Sequence, residues 1–501
     1  MKKIVIVFLF IQQYIFAQNV LLNPAFGNGG ILLDSRALET YLVILPNQKI
    51  LCGSSIRLNT TGTPIYNMGL LEYNQDGTIN ADFGNNGLTV SPIVQSNLLK
   101  SISLQSDGKI VACGILTEDG NSTTILNHGF VIRFNADGSL DATFGTNGVL
   151  LLNTSNYDFY SADSVKIDSN GNIIVAGSTH DSRTFIMRIK SDSTIDSSFC
   201  NNGVKICNTV QFEFVIEDDQ LTLLSDDSML LNGFDYSDTT NTNMALVKYN
   251  SDGTYCSSFG INGILKFDYS NGTFESIYKL NRTNDNKFIL STINYDTGDK
   301  YLIKILADGT LDSNFGVNGL MNSTISSFVV LNDNKQLCLS TNPNNTSDIT
   351  HFSRLNENGS IDASFNNNTA SFDLDPTQYQ DRFFNLKLQS DGNLITSGQV
   401  NSSPVRNTIV ANILLNDALS VAVNAASPSK EFIYPNPNNG SFTIANCNAS
   451  SIKIVDLLGQ VVYNKISFST EQDIKTNLKC GVYFVEITNE NKSDVIKMII
   501  E

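Results

Sequence analysis

Short apolar runs separated by turn residues fill most of the chain, and none keeps a helical period over ten residues. One stretch of about sixty residues shows the pattern. It holds "GVLLLN" (148–153), "SVKID" (164–168), "NIIVAG" (172–177) and "FIMRIK" (185–190). Asn170-Gly171 separates the second run from the third, and Asp107-Gly108 or Asp391-Gly392 stands there in other stretches. Such dipeptides favour the positive backbone angles of a tight hairpin, so the pattern predicts short antiparallel strands.

A motif follows each fourth run. It reads "YNQDGTINADFGNNG" (73–87), "FNADGSLDATFGTNG" (134–148), "IKSDSTIDSSFCNNG", "YNSDGTYCSSFGING", "ILADGTLDSNFGVNG" and "LNENGSIDASFNNNT". Its phenylalanines are Phe26, Phe83, Phe144, Phe199, Phe259, Phe315 and Phe365, spaced by 57, 61, 55, 60, 56 and 50 residues. A period this long marks one supersecondary unit per repeat. Four strands per unit and seven units predict a seven-bladed β-propeller of four-stranded blades over 18–415. The segment "NVLLNPAFGNGG" carries only the tail of the motif, and the last unit stops at "VANILLND" without it. The N-terminal segment is therefore expected to complete the last blade and close the ring. In the seventh unit "SFNNNT" has lost both glycines.

The motif at this period resembles the delta-60 repeat, a bacterial β-propeller family, over roughly residues 19–415. The likeness implies a fold and no particular activity.

Two aspartates around a glycine also suggest a calcium loop or a catalytic acid pair. The position where a calcium loop needs its first carboxylate is held by Glu72, Arg133, Arg188, Lys248, Lys304 and Arg354, five cations in six. An acid pair has to be singular, whereas Asp137 and Asp141 have counterparts in most units. The expected role is a blade corner, with the aspartates capping turns and the phenylalanine wedged between blades. The recurring cation is expected to pair with the capping Asp, as Arg133 with Asp141, or with a neighbouring blade's equivalent.

Hairpins and corners share one face, and the other connections, variable in length and content, share the opposite one. Recognition is expected on the variable face. Candidate ligand-binding residues there are Tyr157, Phe159, Tyr160, Tyr269, Phe274 and Tyr379, with Phe214 and the acids Asp158, Asp163, Asp268 and Asp381 alongside. Rings mixed with carboxylates suit a sugar or peptide. His128, His180 and His351 also fall near these connections. His128 and His180 belong to adjacent units, which allows them to approach each other, but their spacing fits no zinc signature, so no metal site and no cofactor are expected. No catalytic residues are assigned.

The opening "MKKIVIVFLFIQQYIFAQ" has the charged, apolar and small-residue parts of a secretory signal peptide over 1–17, cleaved between Ala17 and Gln18. Net charge is −17, with 32 Lys and Arg against 49 acids, which removes the electrostatic basis for nucleic-acid binding. Eight cysteines are too few for a disulfide scaffold. Cys52 and Cys113 are expected to be small buried residues, and Cys447 with Cys480 to be the pair best placed for a disulfide.

After the small-residue linker 416–431, residues 432–501 alternate at strand period and predict a small Ig-like β-sandwich. Tyr434-Pro435-Asn436-Pro437, Gly440, Asp456, Gly459, Gly481, Val482, Tyr483 and Lys497 closely resemble the type A C-terminal sorting domain of type IX secretion. That resemblance implies a Bacteroidota-type cell, transport by the type IX machinery, removal by its sortase-like peptidase, and release or attachment at the outer surface. The function expected is a non-enzymatic binding or adhesion module for an extracellular glycan or peptide, acting as a monomer. The alternative is a propeller-based hydrolase or lyase acting on polysaccharide.

Overall fold

The computed structural model of the chain describes residues 20–36, 41–57, 66–93, 95–119, 125–154, 157–207, 220–235, 243–267, 275–295, 297–341, 350–365, 370–372, 382–402, 405–415, 432–434, 440–445, 451–456, 460–465, 471–489 and 492–500. Among the described residues the named elements are all strands. The signal-cleavage pair Ala17 and Gln18, the linker 416–431, Phe214, Asp268, Tyr269, Phe274, Tyr379, Asp381, Pro435, Asn436, Pro437, Cys447 and Gly459 lie outside the described residues. The chain divides into two units, Met1–Asp417 and Ala418–Glu501.

In the first unit the described strands form seven antiparallel sheets. Their first strands are Tyr41–Ile44, Ser96–Leu104, Phe159–Ile167, Leu221–Leu223, Glu275–Arg282, Ile325–Val330 and Arg382–Leu388. In the third sheet, Phe159–Ile167, Ile173–Thr179, Thr184–Ile189 and Val204–Cys207 pair in chain order. The strand Ile173–Thr179 does not alternate apolar with polar, because both of its faces are covered; only Ser178 in it is not buried.

The cores lie between sheets. Val111, Cys113 and Val131 of the second sheet interdigitate with Phe159, Val175 and Phe185 of the third. Ile174, Ala176 and Ile186, from the other face of the third sheet, pack on Leu221, Leu231 and Val247 of the fourth. The series returns on itself, since Ile395 and Val410 of the seventh sheet share a core with Leu42, Ile50 and Leu71 of the first. The N-terminal segment completes the seventh sheet: Val20–Leu22 and Ile31–Asp34 both pair with Val405–Leu415, in register Val20↔Leu415 and Ile31↔Ala411.

One strand assignment is corrected. The run "GVLLLN" does not begin the third sheet; Val149–Leu151 is the outermost strand of the second, with Val149 opposite Ile132. Asn147 and Gly148 adopt φ of 51° and 89°. That turn sends the chain straight back beside the strand it has just left.

In the second unit, Phe432–Tyr434, Ser441–Ala445 and Glu471–Lys475 form one sheet, and Ser451–Val455, Val461–Lys465, Gly481–Asn489 and Lys492–Ile500 another. Phe442 and Ile444 of the first meet Ile452, Ile454, Val485 and Met498 of the second in one core, which makes a two-sheet sandwich. Cys480 is an exposed free thiol, and its expected partner Cys447 lies outside the described residues. Cys52 and Cys113 are buried, and burial pushes the Cys52 thiol well above its ordinary value.

Candidate functional site

The repeated corners account for their own acids. Asp137 accepts hydrogen bonds from Ser139 N (2.8 Å) and Ser139 Oγ (2.6 Å). Asp141 accepts Thr143 N (3.1 Å) and Oγ1 (2.6 Å) on one oxygen, and Arg133 Nε (2.8 Å) and Lys109 Nζ (2.9 Å) on the other. Burial pushes the Asp141 carboxyl up, but the bonds from Thr143, Lys109 and Arg133 outweigh it and hold the group well below the usual carboxylate range.

The recurring cation pairs with the capping Asp of its own unit, and its contact with the next unit is to a backbone carbonyl rather than to the equivalent Asp. Arg133 Nη1 donates to Ser191 O of the next corner at 2.8 Å, and its guanidinium lies 4.5 Å from the centre of the Phe144 ring. Arg188 repeats this with Asp196 (2.7 Å) and Ser251 O (3.0 Å). Arg354 meets Asp362 at 2.8 Å.

The motif phenylalanines Phe26, Phe83, Phe144, Phe199, Phe259 and Phe315 are fully buried, and Phe365 nearly so. A belt of backbone bonds joins successive corners, including Gly27 N to Asp76 O (2.7 Å), Gly84 N to Asp137 O (2.7 Å) and Gly260 N to Asp308 O (2.8 Å). The first corner reverses the charges. Glu72 replaces the cation and Asn80 the aspartate, with Asn80 Nδ2 donating to Glu72 Oε1 at 2.7 Å and Lys49 Nζ at 3.3 Å from the same oxygen.

The side chains that break the repeat gather on the opposite face, between the second and third sheets. Asp158 and Tyr160 flank Phe159 and point outward from the strand, while Phe159 points in. Phe159 is fully buried, 4.4 Å from the Phe185 ring in the inter-sheet core, and is therefore corrected from ligand-binding to core. Tyr160 is 36% exposed. Tyr157 is half-buried, with the Arg183 guanidinium 5.7 Å from its ring centre. Asp163 sits in a bulge of the same strand, bonded to Ser161 Oγ at 2.5 Å, and burial raises its carboxyl above the ordinary value.

His128 and His180, from adjacent units, do approach each other, and Asp158, which the sequence did not single out as their partner, stands between them. His128 comes from the third strand of the second sheet, Asp158 from the crossover, and His180 from the hairpin after Thr179. The backbone fixes the last two, with His180 N donating to Asp158 O at 3.2 Å. His128 Nδ1 lies 3.8 Å from Asp158 Oδ1, and His180 Nε2 lies 3.7 Å from Asp158 Oδ2. His180 Nε2 also stands 2.7 Å from Asn127 O. Tyr160 meets the His180 ring edge-on at 5.5 Å, and the two imidazoles are 6.1 Å apart. His351 belongs to the sixth sheet and takes no part.

A cleft of about 650 Å³ opens near the outer edge of the second sheet, bounded by Pro92, Ile93, Leu116, Leu150 and Asn153. Of the expected sorting residues, Gly440 is buried at φ 90° and Tyr483 donates to Lys479 O at 2.9 Å. Gly481 opens and Lys497 lies within the paired strands Gly481–Asn489 and Lys492–Ile500.

Residues 432–501 match the model of the secretion system C-terminal sorting domain. Residues 105–144 and 169–199 match a beta-propeller domain of unknown function (DUF5122). The sorting domain indicates export by type IX secretion to the cell surface or extracellular space, and with it interaction with that machinery. An endo-acting ulvan lyase of Formosa agariphila is 32% identical over 88 residues, 17% of this chain and 17% of that protein. The match thus spans about a sixth of the curated relative. Among solved structures, an acylaminoacyl peptidase in complex with Z-Gly-Gly-Phe-chloromethyl ketone aligns at 10% identity and TM-score 0.35, over 79% of this chain and 56% of that one. A hypothetical protein from Leishmania major aligns at 11% and TM-score 0.26, over 61% and 95%.

Proposed function

We propose that the seven sheets are the blades of one closed ring, and that this ring is a non-catalytic binding module for an extracellular glycan or peptide. The sortase-like peptidase of the type IX pathway would remove residues 432–501. The observation that carries the binding reading is the division of labour between faces. The corner acids of Asp137, Asp141, Asp196 and Asp362 are taken up by hydrogen bonds within the fold. The non-repeat cluster of exposed Asp158, Tyr160 and His180 with half-buried Tyr157 and His128 lies between two sheets. An exposed ring beside a carboxylate offers a stacking surface and an acceptor for sugar hydroxyls or peptide amides.

The test is array binding of the purified protein, followed by titration with the best glycan or peptide. Tyr160→Ala should weaken that ligand about tenfold, the equivalent of about 1.4 kcal/mol. Unchanged affinity in Tyr160→Ala would remove the cluster as the site, and an array with no binders would sink the reading. The alternative is a lyase or hydrolase acting on polysaccharide, favoured by the imidazole–carboxylate cluster, whose groups are of the type that transfer protons. Incubating ulvan and other uronate polysaccharides with the protein and following unsaturated product distinguishes the two, because the binding module leaves the chains intact.

A further inference from the structure

We infer that His128, Asp158 and His180 form a binding site for a borderline divalent cation of the Zn²⁺ type, clamping the second sheet to the third. It stands independently of the ligand reading above. One ligand atom from each residue lies within 4.8 Å of the others. The closest approaches are 3.8 Å from His128 Nδ1 and 3.7 Å from His180 Nε2, each to its own oxygen of the shared carboxylate. Tetrahedral zinc holds nitrogen and oxygen at about 2.0–2.2 Å, which puts ligand atoms roughly 3.3 Å apart. The three groups need to close by about half an ångström to one and a half. Their side chains are 27%, 62% and 31% exposed, so rotation about the terminal bonds supplies that movement without disturbing the sheets.

The donor set chooses the ion. Two imidazoles and one carboxylate suit zinc, copper and nickel, whereas calcium and magnesium require more oxygen ligands than the cluster offers. The second contact of His180 fits the same reading. Its Nε2 faces Asn127 O at 2.7 Å, and the geometry assigns that nitrogen the proton in the free protein. Metal binding at Nε2 takes the other neutral tautomer, with the proton carried on Nδ1, and leaves the carbonyl oxygen, an acceptor, turned toward the cation. Tyr160, edge-on to His180, holds the ring from one side. Three protein ligands leave a fourth position for water or for an oxygen of a bound molecule.

The experiment uses tag-free protein stripped with chelator, dialysed against micromolar Zn²⁺ and assayed for bound metal. One equivalent is expected. Asp158→Asn and His180→Gln should each weaken it at least tenfold, while His351→Gln should not. The Zn²⁺-induced rise in melting temperature should vanish in the same two variants, whose metal-free melts should match that of the unaltered protein. Electron paramagnetic resonance of the Cu²⁺-loaded unaltered protein gives a reading that needs no variant: two coordinating imidazoles are expected. No retained Zn²⁺, stoichiometric Zn²⁺ that survives both substitutions, or a Cu²⁺ spectrum with fewer than two imidazoles would each overturn the site.

Discussion

Replacing Asp141 by Asn separates a structural corner from a chemical one. Asp141 is 4% exposed and accepts four hydrogen bonds, two of them from the cations Arg133 and Lys109. The asparagine oxygen can still accept from Thr143. Its NH₂ group then faces Arg133 Nε and Lys109 Nζ, donor against donor. A hydrogen bond to a charged group contributes about 1.5–3 kcal/mol, and removing one partner of a buried ion pair costs about 3–5 kcal/mol. Arg133 keeps Ser191 O and the face of Phe144, and the carboxylate's own desolvation cost is removed. The net loss should therefore fall at the lower end, about 2–4 kcal/mol.

The assay is urea unfolding followed by circular dichroism, with hydrogen exchange on the second and third sheets in case the ring unfolds in parts. Asp137→Asn is the matched control: the same motif and a similar pair of bonds, but an exposed carboxylate, so its cost should stay under about 1 kcal/mol. Arg133→Met on top of Asp141→Asn should recover part of the loss by removing the stranded charge. Equal midpoints for Asp141→Asn and Asp137→Asn would refute the corner reading.

Four further outcomes follow from the corner contacts. Asp141, Asp196, Asp312 and Asp362 are all held below the ordinary carboxylate value, burial being outweighed by their hydrogen bonds and cations. Their stabilisation is therefore complete above about pH 4 and is lost as pH falls below it, because the unfolded chain takes up protons first; melts across pH 2–7 should steepen there, and less so in Asp141→Asn/Asp362→Asn. Ser193 occupies the left-handed position with φ 69° where other corners have glycine, so Ser193→Gly should stabilise by about 0.5–1 kcal/mol. Gly138→Ala should do the reverse by about 1–3 kcal/mol, since its Cβ would stand 2.7 Å from Thr89 Oγ1 and 2.9 Å from Phe83 Cζ. In the reversed first corner, Glu72→Arg alone places two cations against Asn80, and adding Asn80→Asp should restore stability, with a coupling of at least about 1 kcal/mol in a double-mutant cycle.

Repetition determined what could be read from sequence. The Arg133–Asp141 pairing was legible because six copies of the motif vary independently around one arrangement, and only a structural demand keeps a cation opposite a carboxylate in most of them. The sheet to which "GVLLLN" belongs was not legible, because apolar runs on either side of a crossover look alike and pairing is decided by the Asn147-Gly148 turn. Strand alternation could have separated Phe159 from Tyr160, since neighbours on a strand face opposite ways and only one of two adjacent rings can reach solvent. The half-buried setting of Asp163 lies at a bulge in its strand, which period alone does not announce.

The His128–Asp158–His180 cluster failed to show for the converse reason. Metal and catalytic signatures are recognisable when one element supplies several ligands at fixed spacing. Here each residue comes from a different element, a strand, a crossover and a hairpin, and only the packing of one sheet on the next brings His128 to the other two. A repeat fold makes this the expected place for function. Its common face is committed to corner-to-corner bonds that recur from unit to unit, so a buried side chain there, such as Asp141, is held to its place in the repeat. The opposite face carries no such obligation, and singular residues collect there at the junctions between neighbours. In an array of near-identical units, a candidate site is therefore best sought where two units differ and touch, as the second and third sheets do at Asp158.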